Sequence, residues 1–148
     1  VAVVATPIQQ FQDALGAGAE GFLGPSQWEP GADNAVDCGP SSLEVLESLR
    51  RAGRPDPDYP MVQAYAAGVV AQRCMEAAGT LESAALRETA GALDFSTFYG
   101  RFKIDPTTGR QIGRSVVIVQ RQAGRNVVVW PPDGRRSQLQ YPWRGTGL

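Results

Sequence analysis

The sequence predicts an α/β fold that forms part of a two-lobed protein, with helices from one lobe and a C-terminal β-meander from the other. Between residues 41 and 93 apolar side chains recur with a helical period, whereas after Leu93 they alternate as they do in strands. The predicted order is β-α-β-α-α-α-β-β-β, in which three helices separate the first strand pair from the last strands. A chain that leaves one lobe and later returns to it explains this order.

The N-terminal elements are predicted as two short strands around one helix. Residues 1–5 are an apolar run typical of a short buried strand. Thr6, followed by a proline, resembles a helix N-cap, and Gln9 would complete a capping box. We expect this helix to end at Gly16, and residues 21–24 to form the second strand.

Three helices are predicted after a loop rich in proline and glycine at residues 25–40. Ser41 and Glu44 have the spacing of a capping box at the start of the first of these helices. Residues 60–78 predict a long helix whose first half is apolar on nearly all sides, which is typical of a buried helix. The third helix is predicted at residues 81–92.

The last third of the chain predicts strands followed by a tail. A strand near residues 102–104 leads into a turn at residues 105–109, where proline presets φ and glycine accepts a positive φ. Residues 115–120 and 126–130 are predicted to pair as a hairpin through the Ala-Gly sequence between them. Residues 133–148 are polar and are predicted to form an extended tail on the body of the protein.

The composition excludes several classes of function. The chain has 148 residues, of which 43% are hydrophobic and 20% charged, and its net charge is −1, so no basic surface for nucleic acid is expected. No apolar run is long enough to span a membrane. The sequence begins without an initiator methionine and without the pattern of a signal peptide, so we expect a processed or excised piece.

The chain contains no histidine. The usual general base, the histidine-activated nucleophiles and the commonest metal ligand are therefore missing. We predict no enzyme, no metal site and no cofactor. An enzyme would have to rely on carboxylates or on Lys103, the single lysine.

Six stretches, taken in order, carry a resemblance to a known family. They include Gly-Phe-Leu-Gly-Pro-Ser-Gln-Trp near the first crossing and Phe-Tyr-Gly-Arg-Phe before the last strands, and they are residues 19–28, 57–68, 76–79, 92–102, 104–111 and 117–131. They resemble the C-terminal part of the branched-chain amino-acid type of ABC-importer substrate-binding proteins, which have the type I periplasmic binding fold. The resemblance does not extend to residues 1–5 or to the tail after Asp133.

The resemblance implies two α/β lobes that are joined by three crossings and close on a ligand by hinge motion. It divides the chain into six parts: a second-lobe βαβ piece at 1–24, a hinge crossing at 25–29, helices of the first lobe at 30–93, a hinge crossing at 94–100, a second-lobe meander at 101–132 and a tail at 133–148. Such a piece would leave helix faces uncovered. We therefore expect the missing N-terminal lobe, or another copy of the chain, to cover them.

The resemblance also implies a function. The chain would be part of a solute-binding component that captures an amino acid or a similar small polar solute between two lobes and delivers it to the membrane permease of an ABC importer. The resemblance implies a periplasmic or extracellular location and allows a lipid anchor on the full-length parent. The alternative is the ligand-sensing domain of a receptor with the same fold.

Four residues are candidates for ligand contact, each with a structural alternative. Tyr59 offers an aromatic lid for a small solute or packs at a helix start. Gln27 and Trp28 follow a strand end, where open α/β sheets bind ligands, although a tryptophan there can also pin a loop. Gln63 lies one helical turn after Tyr59.

The two cysteines leave two alternatives open. Cys38 and Cys74 form no Cys-x-x-Cys pair, so a zinc site is not expected. They are either two free thiols or one disulfide, and an exported protein would permit the disulfide.

Overall fold

A computed structural model of the chain describes residues 1–30, 34–54 and 56–143. The residues in these ranges form four α-helices and five strands, which confirms the predicted α/β class. The helices are α1 (Gln9–Leu15), α2 (Ser42–Arg51), α3 (Tyr59–Ala78) and α4 (Ser83–Ala92), and the strands are β1 (Leu23–Ser26), β2 (Asp94–Thr97), β3 (Gly100–Lys103), β4 (Val117–Gln122) and β5 (Arg125–Trp130).

The chain divides into two compact units. The first, here the sheet unit, contains residues 1–29 and those from 116 onward, and the second, the helical unit, contains residues 30–115. The assignment of these units to lobes of a larger protein stays a prediction.

The sheet unit is built on three antiparallel strands in the order β1-β4-β5. Leu23 lies opposite Gln120, and Val119 lies opposite Val128, where both valines are buried. Strands β4 and β5 join through the predicted Ala123-Gly124 turn, and both turn residues have positive φ. The predicted strand at residues 1–5 is reduced to a parallel bridge between Ala2 and Leu23.

Thr6 does not cap the first helix as the sequence predicted. Helix α1 begins at Gln9 with Ile8 as its N-cap, and no side chain caps it. The Thr6 side chain is instead fully buried, and its hydroxyl lies 2.9 Å from both Val3 O and Leu23 O. The hydroxyl thus satisfies backbone carbonyls of the sheet unit, which takes precedence over the local capping pattern.

The tail is fixed across the sheet by buried glutamine side chains. We call residues 135–143 the C-terminal strap. The Gln120 amide, 1% exposed, accepts from Gln140 N at 2.9 Å and donates to Gln140 O at 3.1 Å, and Gln122 Nε2 donates to Gln138 O at 3.0 Å. At the end of the strap, the Trp143 ring fills the space where Gly21 would carry a Cβ.

The helical unit begins with elements that the sequence predicted well. Both bonds of the Ser41–Glu44 capping box are present at the start of α2. Helix α3 is capped by the Asp58 side chain, which accepts from Met61 N, and it ends at Gly79 with φ 63°. These caps satisfy backbone groups that a helix end otherwise leaves without partners.

Aromatic side chains fill the core of the helical unit. The fully buried Phe98 meets Tyr65 edge to face at 5.8 Å and Tyr99 at 6.2 Å between ring centroids. Phe95 and Phe102, opposite one another on β2 and β3, lie 5.2 Å apart. This contact between aromatic rings on facing strands stabilises the β2–β3 hairpin.

Helix α3 is less enclosed than its composition predicted. Its buried residues are Val62, Ala66 and Cys74. A face of small residues is exposed, and it consists of Ala64, Ala67, Gly68 and Ala71. The prediction of a helix buried on most sides is therefore wrong for this structure, whereas the expected uncovered helix face is present.

The predicted meander at residues 101–132 is not a single sheet. Strand β3 pairs with β2, and β4 pairs with β1 and β5. The outer edge of β3 is occupied because Ile112 N and Gly113 N both donate to Lys103 O. The predicted crossing at 94–100 consequently lies within the hairpin of the helical unit, and the boundary between the units falls after residue 115.

Both cysteines are free thiols, so the structure has the first of the two predicted alternatives and not the Cys38–Cys74 disulfide. Cys74 is buried on α3, whereas Cys38 is partly exposed in the loop before α2. Burial raises the pKa of the Cys74 thiol, which keeps it protonated near neutral pH.

Candidate functional site

An open cavity of about 320 Å³ lies inside the helical unit. One wall is formed by small apolar side chains of α3, and the opposite wall by the β2–β3 hairpin and the residues that follow it. The apolar lining consists of Ala66, Ala67, Val70, Ala71 and Phe102, and the polar lining consists of Gln63, Thr97, Tyr99, Arg101, Gln111 and Arg114. Its size and mixed lining fit a small molecule, because ligand pockets begin at about 300 Å³ and combine apolar walls with a few polar groups.

Arg114 and Tyr99 form a stacked pair at the cavity. The guanidinium carbon of Arg114 lies 4.1 Å from the centroid of the Tyr99 ring, and Arg114 Nη1 donates to Tyr99 O at 3.3 Å. Gly100, with φ 115°, gives the arginine stem its room, since a Cβ there would lie 3.0 Å from Arg114 Cδ. The stack and the hydrogen bond together fix the orientation of the guanidinium plane.

The electrostatics of this pair follow from burial and charge. Tyr99 is 4% exposed, and burial raises the pKa of its phenol, an effect that the neighbouring Arg114 charge partly offsets. The phenol is therefore neutral at physiological pH, and its ring presents an electron-rich face to the guanidinium.

Three other polar lining residues already serve the hairpin. Arg101 forms a bidentate pair with Asp94, at 2.6 and 2.7 Å. The hydrogen bonds from Arg101 and from Lys103 hold the pKa of Asp94 well below its usual range. The Gln111 amide bonds to the backbone of Lys103 and Gly113 and to Arg101 O.

Thr97 belongs to the same group. Its hydroxyl donates to Gly100 O and accepts from Tyr99 N, so it closes the β2–β3 turn. These groups shape the cavity, whereas Gln63 lines it with an exposed side chain.

Two of the four predicted ligand residues lie together at the start of α3. Tyr59 is the first residue of the helix and is half-buried, and its proximity contributes to the raised pKa of Tyr99. Gln63, one turn later, lines the cavity and is exposed. Tyr59 is not among the lining residues, so its contact with a solute stays a prediction.

The other two predicted residues, Gln27 and Trp28, lie in the sheet unit just after β1. Trp28 is 3% exposed, and Ser26 Oγ donates to Trp28 O at 2.9 Å. The tryptophan is thus a packed side chain in this structure. Contact of Trp28 or Gln27 with a solute stays a prediction.

Glu29 is the titratable residue of this segment that the sequence did not single out. Burial raises the pKa of its carboxyl to about 7, although a hydrogen bond from Ser26 and the charge of Arg121 act in the opposite direction. No local pattern marks this residue, because its environment arises from the tertiary fold. The same holds for Arg114, whose role depends on the packing of Tyr99 and Gly100.

The described parts of the chain contain no cluster of three acidic or cysteine side chains that could hold a metal ion. Within the same residues, none of the helices combines the length and apolar character needed to cross a bilayer.

Comparison with known families identifies a relationship. The sequence profile described as periplasmic binding protein matches residues 1–126. This range includes every residue that lines the cavity, and also residues 1–5, to which the resemblance in the sequence did not extend. It ends before most of β5 and before the strap. Since the match covers far more than half of the sequence, the chain belongs to the periplasmic binding protein family.

Proposed function

We propose that this chain is part of the solute-binding component of an ABC importer and that it binds an amino acid or a similar small polar solute without chemical turnover. The family match supports a solute-binding role and a periplasmic or extracellular location. The importer, its membrane permease and a lipid anchor on the full-length parent belong to the proposal.

One structural observation supports the proposal in addition to the family match. The helical unit contains a cavity of small-molecule size, and the predicted ligand residue Gln63 lines it. Small apolar residues on one wall and an oriented arginine on the other provide the two kinds of surface that a small amphipathic solute requires.

Isothermal titration calorimetry of the 148-residue chain with a panel of amino acids, their amides and small carboxylic acids tests the proposal. We expect at least one compound to bind, and Gln63→Ala to weaken that binding about three- to tenfold, since it removes one neutral hydrogen bond. Gln72→Ala is the matched control, because Gln72 lies on the same helix and its amide bonds to Glu76. A panel without any bound compound would refute the proposal.

A further inference from the structure

We propose that helix α3 sets the upper size of the solute in the cavity, and that Ala67 and Val70 are the residues that determine this limit. The inference rests on the proposed function, because it concerns how that same cavity selects its solute. The size limit acts on the apolar part of the solute, whichever polar groups of the lining hold its other end.

The apolar wall that α3 contributes has no side chain larger than valine. Its members lie three to five residues apart on one side of the helix, and they are Ala66, Ala67, Val70 and Ala71. Ala66 is buried, whereas Ala67 is exposed. A longer side chain at position 67 would therefore take up cavity volume without replacing a buried residue of the core.

Packed aromatic side chains fix the distance between the two walls. Tyr65 of α3 meets Phe98, in the turn between β2 and β3, edge to face at 5.8 Å between ring centroids. Phe98 is fully buried. Since a close-packed contact of this kind yields little to compression or expansion, the walls cannot move apart to accept a larger solute.

Each wall is also held by contacts of its own. Helix α3 has the Asp58 side chain as its N-cap and Gly79 as its C-cap, and it is anchored by the buried Val62. On the opposite wall, Phe95 and Phe102 lie 5.2 Å apart on the paired strands β2 and β3. The cavity between two such walls keeps its shape, so the size of the α3 side chains is what can vary.

The volume of the cavity gives the size of the solute. About 320 Å³ is the liquid volume of roughly ten water molecules, so a solute with about ten non-hydrogen atoms fills it. Leucine is close to this size, whereas tryptophan exceeds it. The cavity is open, and a larger solute would have to leave part of its apolar surface in water, which forfeits the free energy of burying that part.

Alanine, leucine and tryptophan measure this limit, because they share one head group and differ in the size of the side chain. In titration calorimetry of the 148-residue chain, leucine should bind at least about tenfold more tightly than tryptophan. Ala67→Leu should weaken leucine binding at least about tenfold and alanine binding less than about threefold, since a misfit of one methylene group already costs about tenfold or more. Val70→Ala should have the opposite sign and strengthen tryptophan binding about tenfold.

Ala64→Leu is the matched control for Ala67→Leu. Ala64 is exposed on the same helix and does not line the cavity, so this variant should leave the affinity for leucine unchanged. Leucine is a strong helix former, and thermal unfolding should show that both leucine variants are folded. If Ala67→Leu disturbs folding, Val70→Ala decides the question, because an unchanged affinity for tryptophan in that variant would overturn the inference.

Three further results would also overturn it. They are equal affinities of the unmodified chain for leucine and tryptophan, an unchanged affinity of a folded Ala67→Leu chain for leucine, and binding of compounds other than amino acids alone. In each of these cases the proposed solute-binding function would stand. Failure of every compound to bind would refute that function itself.

Discussion

Substituting Gln120 by methionine should detach the C-terminal strap from the sheet. The Gln120 amide makes four hydrogen bonds of 2.7 to 3.2 Å, to Gly21 O, to the backbone N–H and C=O of Gln140, and to the Gln122 amide. Methionine has a similar length and volume, so it removes these bonds without leaving a large cavity. The experiment therefore isolates the contribution of the buried amide.

The expected cost follows from the fate of each partner. Gln140 is exposed and can rehydrate its backbone, so the two bonds to it cost about 1 kcal/mol each. Gln122 Nε2 keeps its bond to Gln138 O, whereas Gly21 O loses the N–H donor that the Gln120 amide supplies. Since burying methionine in place of an amide recovers part of this loss, we expect the free energy of unfolding to fall by about 3 kcal/mol.

Urea denaturation followed by circular dichroism measures the change, and amide hydrogen exchange at Gln140 reports whether the strap opens before the sheet. Gln138→Ala is the control, since the strap is held there through the backbone carbonyl and not through the side chain. That variant should stay within about 0.5 kcal/mol of the unmodified chain. The reasoning is refuted if Gln120→Met unfolds at the same urea concentration and Gln140 exchanges at an unchanged rate.

Two further predictions concern the sheet unit. Gly24→Ala should cost about 1–3 kcal/mol, because its Cβ would lie 2.5 Å from Val3 O and 2.7 Å from Thr6 Cβ, whereas Gly18→Ala, with no atom within 4 Å, should be nearly neutral in thermal unfolding. Glu29 should make stability fall as pH rises. Its folded pKa of about 7 exceeds the ordinary value of 4.5, so the folded state binds the extra proton between these values. The free energy of unfolding should fall by at most about 3 kcal/mol across this pH range. Glu29→Gln should abolish this pH dependence, whereas Glu82→Gln should keep it. A pH dependence that persists in Glu29→Gln would contradict the assignment.

The features that the sequence predicted correctly are those that local chemistry determines. The capping box at Ser41 depends on residues three positions apart, and the end of α3 at Gly79 depends on one residue with positive φ. The turn at Ala123-Gly124 is equally local. In each of these cases the physical cause lies within a few residues of the element, so a pattern in the sequence is sufficient to identify it.

The features that the sequence could not predict depend on tertiary packing. Thr6 has the pattern of a helix cap, but the carbonyls of Val3 and Leu23 compete for its hydroxyl. The separation of β3 from β4 arises because residues 112 and 113 bond to Lys103 and occupy the β3 edge.

The residues of the candidate site show the same difference between local causes and tertiary packing. The spacing of Gln63 on a helix marks it in the sequence and it lines the cavity, while its contact with a solute stays a prediction. Arg114 has no distinguishing neighbours in the sequence, because its orientation comes from a ring that packs beneath it and from a glycine that leaves room for its stem.

The strap has a consequence for how its sequence can vary. Gln120 and Gln122 bond to the strap mainly through backbone atoms of residues 138 and 140, and the Ser137 hydroxyl adds a side-chain bond to Gln122 Oε1. We therefore expect the side chains at 138 and 140 to differ among related proteins while the strap stays bound to the sheet. Substitutions at the two sheet glutamines, in contrast, would be tolerated only together with a different covering segment.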